Sequence, residues 1–488
     1  MKKIKFIALC FIGLLAMLPI NAKDYNASYF GIRSNGVTMN TTAIQKAIDY
    51  ISENGGGTLH FRVGRYLTGQ IDLKSNVTIE LHEGAVLMGS TNIYDYRKPA
   101  HCDFGLISAF DQENIAIIGK GVIEANGREL ALNITDQIHK GVIIDDHSLD
   151  RPREAKRPHA IFFYNCKNST LKDIVVKNAA NWVCYFDMCD GMLVEGITVD
   201  SKEFWNNDGI DFGDCKNVIV KNCFVDCSDD GICLKSHRKN GACENILIRD
   251  NVVRSSASGI KFGTWSIGGY KNIQVINNKV YDTFRSAFTA ASPDGAVIEN
   301  ILVDSLYAYN VGNALYLRVN ARHGDNNIGF VENITIRNVY CEIAEEKPDA
   351  GYLYEGPVVS GRENIAPSSI VGIPARPVRN VTLENIEIVY PGGGNKYRAY
   401  RGTDPASLDS IPNMIRSYPE FSQFKELPAW AFWVRHAENI SFKNVKFTAK
   451  KADYRPAIVV QESKNVTFEK ATSSNPGNKK KIHTYKVK

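Results

Sequence analysis

The chain has 488 residues, 44% hydrophobic and 23% charged, with a formal net charge of +5. That length suits one large domain or two to three ordinary ones. The charge is too balanced to make an electrostatic case for nucleic acid as a partner.

The chain opens MKKIKFIALCFIGLLAMLPINAK. Lys2, Lys3 and Lys5 give a positive start, and the apolar run Ile7 to Leu18 is too short to span a membrane. Residues 1–22 therefore read as a signal peptide with Ala22 at the cleavage point. Cys10 follows Leu9, not the small residue that a lipoprotein site needs. Loss of three lysines and no acids lowers the net charge from +5 to +2. The expectation is an exported protein, periplasmic or secreted, with residues 23–488 as a single domain. No later run is long and apolar enough to span a bilayer. Ten cysteines remain, without CxxC pairs or Cys/His zinc spacing. Buried thiols are the expected state of the cluster Cys184, Cys215, Cys223, Cys227 and Cys233.

TTAIQKAIDYISENGGG predicts a helix with Ile44, Ala47, Ile48 and Ile51 on one face. Thr41 or Thr42 would cap it and Gly55 would end it. From there on the chain repeats itself. NVTIELHEGAVL at 76, KNVIVKNCFVD at 216, ENILIRDNVVR at 244, KNIQVINNKVY at 271 and ENISFKNVKFT at 438 share an Asn followed by alternating apolar residues. Between 168 and 300 the spacings are 23, 26, 28, 27 and 28 residues. Such short strands cannot bury an apolar face alone and must stack on their neighbours. The predicted fold class is all-β, a right-handed parallel β-helix with the early helix closing its open end. A leucine-rich horseshoe is the nearest rival, but its Leu signature and helices are missing. After about 340 the repeats are separated by long loops, which on a solenoid tend to build the binding cleft.

The second strands align as DGIDFG at 208, DGICLK at 230, SGIKFG at 258, SAFTAA at 286 and NALYLR at 313, with NWVCYF at 181 placed first. Aligned residues of stacked coils lie about 4.8 Å apart. The leading column is then Asn181, Asp208, Asp230, Ser258, Ser286, Asn313. Ile210, Ile232, Ile260, Phe288 and Leu315 point inward; Asp211, Cys233, Lys261, Thr289 and Tyr316 point out. Asp229 lies beside Asp230. Three adjacent carboxyls repel, so at least one pKa should rise. One protonated and one ionised carboxyl is what acid–base cleavage of a glycosidic bond requires. Lys261 and Arg318 add positive charge suited to an acidic substrate. Lys235 reads equally as a partner of the aspartates or as a substrate contact. An Asp-Gly step is also an ordinary turn, but two in register with a third Asp alongside favour chemistry. Calcium binding is the other use of such a cluster, and the flanking lysine argues against it.

With those residues in view, the chain resembles glycoside hydrolase family 28, the polygalacturonase family. NTTAIQKAID, GGGTLHF, GRYLTGQIDLKSNVTIELHEGAVLMGS and RPHAIFFYNCKN look like its landmarks. NNDGID is similar to its NTD motif and SDDGICLKS to its GDD motif. The resemblance implies an inverting hydrolase of pectic polysaccharide or oligosaccharide, with Asp229 as general acid and Asp208 and Asp230 activating water. The flanking cations suit a uronic-acid-containing substrate, and no metal or other cofactor is expected. Two motifs depart. The family's G-H-G falls on Ala257-Ser258-Gly259 and its R-I-K on Thr289-Ala290-Ala291. Ser258 stands where the histidine would be. Either Lys261 and Arg318 substitute for the missing cations, in a substrate site with Ser258 and Lys235, or the sugar in the main subsite is not galacturonate. Trp205, Trp265 and Tyr270 are candidate sugar platforms, whereas Trp430 and Trp433 suit packing of the last coils. His323 and His436 suit hydrogen-bonded surface positions. A pectate-lyase-like eliminase and a non-catalytic carbohydrate-binding β-helix are the competing readings.

Overall fold

The computed structural model describes residues 23–145, 151–324, 327–349, 351–352, 366–397, 401–477 and 480–488. The proposed leader, residues 1–22, lies outside them, as does most of the late loop around 353–365.

Among the described residues, 32 strands join one continuous sheet. In the middle coils each strand pairs in parallel with the strand three further along. Cys184–Asp187 thus leads to Ile210–Gly213, then Ile232–Ser236, then Ile260–Ser266. This is the parallel β-helix that the repeat predicts. Alternation explains it residue by residue. Ile210, Ile232, Ile260, Phe288 and Leu315 are buried in one interior column, each side chain worth about 1.5–3 kcal/mol of burial.

The Asn that opens each repeat turns the corner. Asn217, Asn245, Asn272 and Asn300 all have φ between 54° and 58°, a region that Asn tolerates better than most residues. Their amides also form a ladder, Asn245 to Asn217, Asn272 to Asn245 and Asn300 to Asn272, each at 3.3 Å. A second ladder is fully buried, with Asn251 donating to Asn278 at 3.0 Å.

Helix α1, Thr41–Glu53, buries Ile44, Ala47, Ile48 and Ile51 against the first coils. Asn40 occupies the cap position. Thr41 instead accepts a hydrogen bond from the Gly69 N–H at 2.7 Å, tying the helix to the coil beneath. A second helix, α2, spans Gly127–His139 and buries Leu130, Ala131, Ile134 and Ile138. The strand repeat on either side hides its helical spacing. All ten described cysteines are free thiols, and nine are buried. Among the described residues, no helix is long and apolar enough to cross a membrane.

Candidate active site

The carboxylate column sits at the turns that lead into the strands Ile210–Gly213 and Ile232–Ser236. The Gly209 N–H donates to the Asp230 carbonyl at 2.9 Å and the Gly231 N–H to that of Ser258 at 2.8 Å. Asp208, Asp230 and Ser258 are therefore stacked neighbours. The stack below them is offset by one from the sequence alignment. Cys184 pairs with Ile210, which sets Trp182, not Asn181, beside Asp208. Asn181 turns away and donates to the carbonyls of Glu154 and Arg157.

Asp208, Asp229 and Asp230 are all buried, with 4%, 8% and 3% of their surface exposed. Asp211 points away from the coil interior, in register with Cys233 and Lys261, but it is fully buried there with Lys235 3.2 Å away. Lys235 Nζ is 3.1 Å from Asp208, 3.2 Å from Asp211 and 4.1 Å from the Trp182 ring centre. Lys235 is thus the charge partner of the aspartates. Lys261 Nζ donates to Asp230 Oδ2 at 2.5 Å and to the Tyr418 hydroxyl at 3.1 Å. Ser258 contributes its backbone N–H to Asp230 Oδ1 at 3.0 Å.

Four buried carboxyls share this floor with Lys235 and Lys261, and they do not ionise alike. Burial, reinforced by Asp211, Asp229 and Asp230 against the pull of Lys235, pushes Asp208 well above the usual carboxylate range. Burial and the neighbouring Asp230 charge raise Asp229. Burial lifts Asp211 to about 6. Asp230 goes the other way: burial opposes its charge, but Lys261, Arg285 and Lys235 outweigh that and hold it below its ordinary value.

Arg318 does not join this group. Its buried guanidinium donates to the backbone carbonyls of Gly372, Asn413 and Met414 at 2.7–3.0 Å. Burial brings its pKa down to about 10. Sequence alignment places its Cα correctly beside Ala291, but the side chain anchors the returning segment. Tyr270 is also buried, stacked on Phe262 in the core, and offers no platform to a sugar. Trp430 and Trp433 are buried among the last coils, as expected.

The sequence reading misses Arg285, Tyr418 and Glu420. Arg285 is buried and pairs with Glu420 at 3.3 Å. Tyr418 has Lys261 5.4 Å, Arg285 5.6 Å and Arg322 5.9 Å from its ring centre. The segment carrying Tyr418 and Glu420 comes back from a late loop onto the column. Beneath it remains a cavity of about 10 Å³ beside Ser258, Lys261 and Arg285, room for about one water and not for a sugar ring. The opposite flank is aromatic. Trp182 packs edge-on to Tyr185 at 4.8 Å, and Trp265 contacts Trp182 and His237. Trp265 is 48% exposed and holds a φ of 61°, a strained conformation that turns its ring outward. Trp205 is half-buried under Arg151, 4.8 Å above its ring.

Asp208, Asp230 and Cys233 bring donor atoms within 4.8 Å of one another. The ammonium groups of Lys235 and Lys261 already stand against these carboxylates. The donor set therefore suits an acid–base cluster better than a calcium site.

Coil architecture and a buried carboxyl cluster of this kind suit acid–base cleavage of a glycosidic bond. The family model of glycosyl hydrolases family 28 matches residues 54–287, and the chain belongs to that family. An exo-poly-alpha-D-galacturonosidase of Dickeya chrysanthemi is 24% identical over 441 residues, covering 75% of this chain and 71% of that protein. A probable polygalacturonase of Vitis vinifera is 28% identical over 241 residues, covering 44% of this chain and 45% of its own length. The fold is shared with an exopolygalacturonase from Thermotoga maritima at a TM-score of 0.63 and 21% identity, over 87% of this chain and 91% of that one.

Proposed function

We propose that this glycoside hydrolase cleaves α-glycosidic bonds in galacturonan or a related pectic chain, with inversion, after export. The observation that carries this is the buried cluster of Asp208, Asp229 and Asp230 with Lys261 2.5 Å from Asp230, an arrangement that pushes the pKa of Asp229 up and that of Asp230 down. Asp229 holds the proton that the leaving oxygen needs. Asp230, kept ionised by Lys261, draws a proton from a water that Asp208 helps to hold. Water then attacks the anomeric carbon as the bond to the leaving oxygen breaks, and that oxygen leaves as a hydroxyl with the Asp229 proton. The relatives' names, which specify galacturonan, support the substrate class.

Action from a chain end is supported by the segment around Tyr418 and Glu420. It fills the later-coil side of the column and leaves space only for about a water there. The exposed ring of Trp265 on the other flank suits the face of a pyranose.

Product analysis tests the reading. Digestion of polygalacturonate by wild type and by Asp229→Asn should give saturated monomer or short oligomers from wild type alone. An unsaturated, ultraviolet-absorbing product would mean β-elimination. Binding without turnover would mean a carbohydrate-binding protein.

A further inference from the structure

Several coils before the aspartates, at the edge of the first strands, three metal-ligating side chains converge. His60 in the strand Gly57–Phe61 and Glu80 in the strand Val77–Leu81 are register partners on adjacent coils. His82 follows directly and is pinned by its N–H to the Phe61 carbonyl at 3.0 Å. His60 Nδ1 lies 3.0 Å from His82 Nε2 and 3.0 Å from Glu80 Oε2, and Glu80 Oε1 lies 3.8 Å from His82 Nε2. We propose that His60, Glu80 and His82 form a zinc site that clamps the first coils together.

The spacing suits a small ion. Ligands about 2.0–2.1 Å from a tetrahedral zinc stand about 3.3–3.4 Å apart; the two imidazole nitrogens are 3.0 Å apart, and one ligand atom from each of the three residues lies within 4.8 Å of the others. The chemistry also fits, since two imidazoles and one carboxylate are a recurrent zinc set that leaves a fourth position for water. All three side chains are partly exposed, so an ion can enter from solvent. The far nitrogen of His60 is held by Asp24 Oδ1 at 3.0 Å. A carboxylate behind a ligating histidine fixes its ring and tautomer. Arg62 is exposed and donates to His82 Nδ1 at 3.3 Å. Zinc on Nε2 would put the ring proton on Nδ1 and turn Arg62 away. A hydrogen-bonded stack without metal is the ordinary alternative, and in it Arg62 would support the stack.

The experiment is a calorimetric titration of chelator-treated, tag-free full-length protein with Zn²⁺, repeated with Co²⁺ and visible absorption. One equivalent should bind, Co²⁺ should give the intense bands of a tetrahedral site, and zinc should raise the thermal midpoint. His82→Ala and Glu80→Gln should lose binding at least tenfold while keeping the wild-type midpoint in chelator. Asp24→Asn should weaken it about tenfold, and Arg62→Ala should bind at least as well as wild type. Absence of a stoichiometric Zn²⁺ site, or equal binding by His82→Ala and Glu80→Gln, would overturn the proposal. Weaker binding in Arg62→Ala would also count against it. Hydrolysis should not change with zinc, so this result stands apart from the proposed activity.

Discussion

Lys261 Nζ lies 2.5 Å from Asp230 Oδ2, and both side chains are buried. The contact holds Asp230 ionised while the adjacent Asp229 is raised by burial and by the Asp230 charge itself. Lys261 thus favours the ionised form of Asp230, while burial and the Asp230 charge favour the protonated form of Asp229.

Replacing these carboxyls separates catalysis from packing. Asp229→Asn and Asp230→Asn should each lower kcat about 10²–10⁴-fold, the range for a lost general acid or base, with KM little changed. Asp208→Asn should also lower kcat. Steady-state kinetics beside a melting curve would check this. A KM effect at constant kcat would assign the residue to binding.

The pH profile follows from the direction of each shift. Activity requires Asp229 protonated and Asp230 ionised. The acid limb of kcat/KM should therefore lie below the ordinary carboxylate value of about 3.9, and the alkaline limb above it. Removing the cation in Lys261→Met should let the Asp230 pKa rise and move the acid limb to higher pH. An acid limb that stays in place would show that Lys261 does not set it.

Arg285 and Glu420 are a buried ion pair between a coil and a returning loop. Glu420→Leu alone removes the carboxylate nearest the buried guanidinium and should cost up to about 3–5 kcal/mol. Adding Arg285→Met should restore much of that stability. Denaturant unfolding of the singles and the double would measure the coupling. Simple additivity would mean that the pair does not hold the loop.

Arg318 should behave as an anchor. Its donors are committed to the carbonyls of Gly372, Asn413 and Met414. Arg318→Met should lower stability by about 3 kcal/mol or more, because buried acceptors lose a charged donor. Its effect on charged and neutral oligosaccharides should be equal. A selective loss on uronate substrates with stability intact would return Arg318 to the binding site.

The coils were legible because two local rules agree: alternation sets which face is buried, and Asn marks the corner. Those rules place Ile210, Ile232 and Ile260 in one column and stack Asp208 on Asp230. They fail by one residue at Asn181, where Val183 imitates the small-apolar step but Cys184 takes the inward place beside Ile210. They also cannot say where a long side chain ends. Lys261 reaches the carboxylates and Arg318 reaches backbone carbonyls, although both belong to neighbouring columns. Tyr418 and Glu420 were invisible for another reason. They lie 157 and 135 residues after Lys261 and Arg285 in the chain, and only the folded loop brings them back. Helix α2 shows apolar residues at helical spacing, but it interrupts a run of strands that dominates the pattern.

The most direct measurement is the anomeric configuration of the first product, followed by proton NMR during cleavage of an α-linked galacturonan oligomer. Direct attack by water held between Asp208 and Asp230 is expected to give the β-anomer first, with the α-anomer growing in later by mutarotation. An α-anomer at the earliest times would mean a covalent intermediate, and an unsaturated end would mean elimination. Either would contradict water activation by this aspartate set.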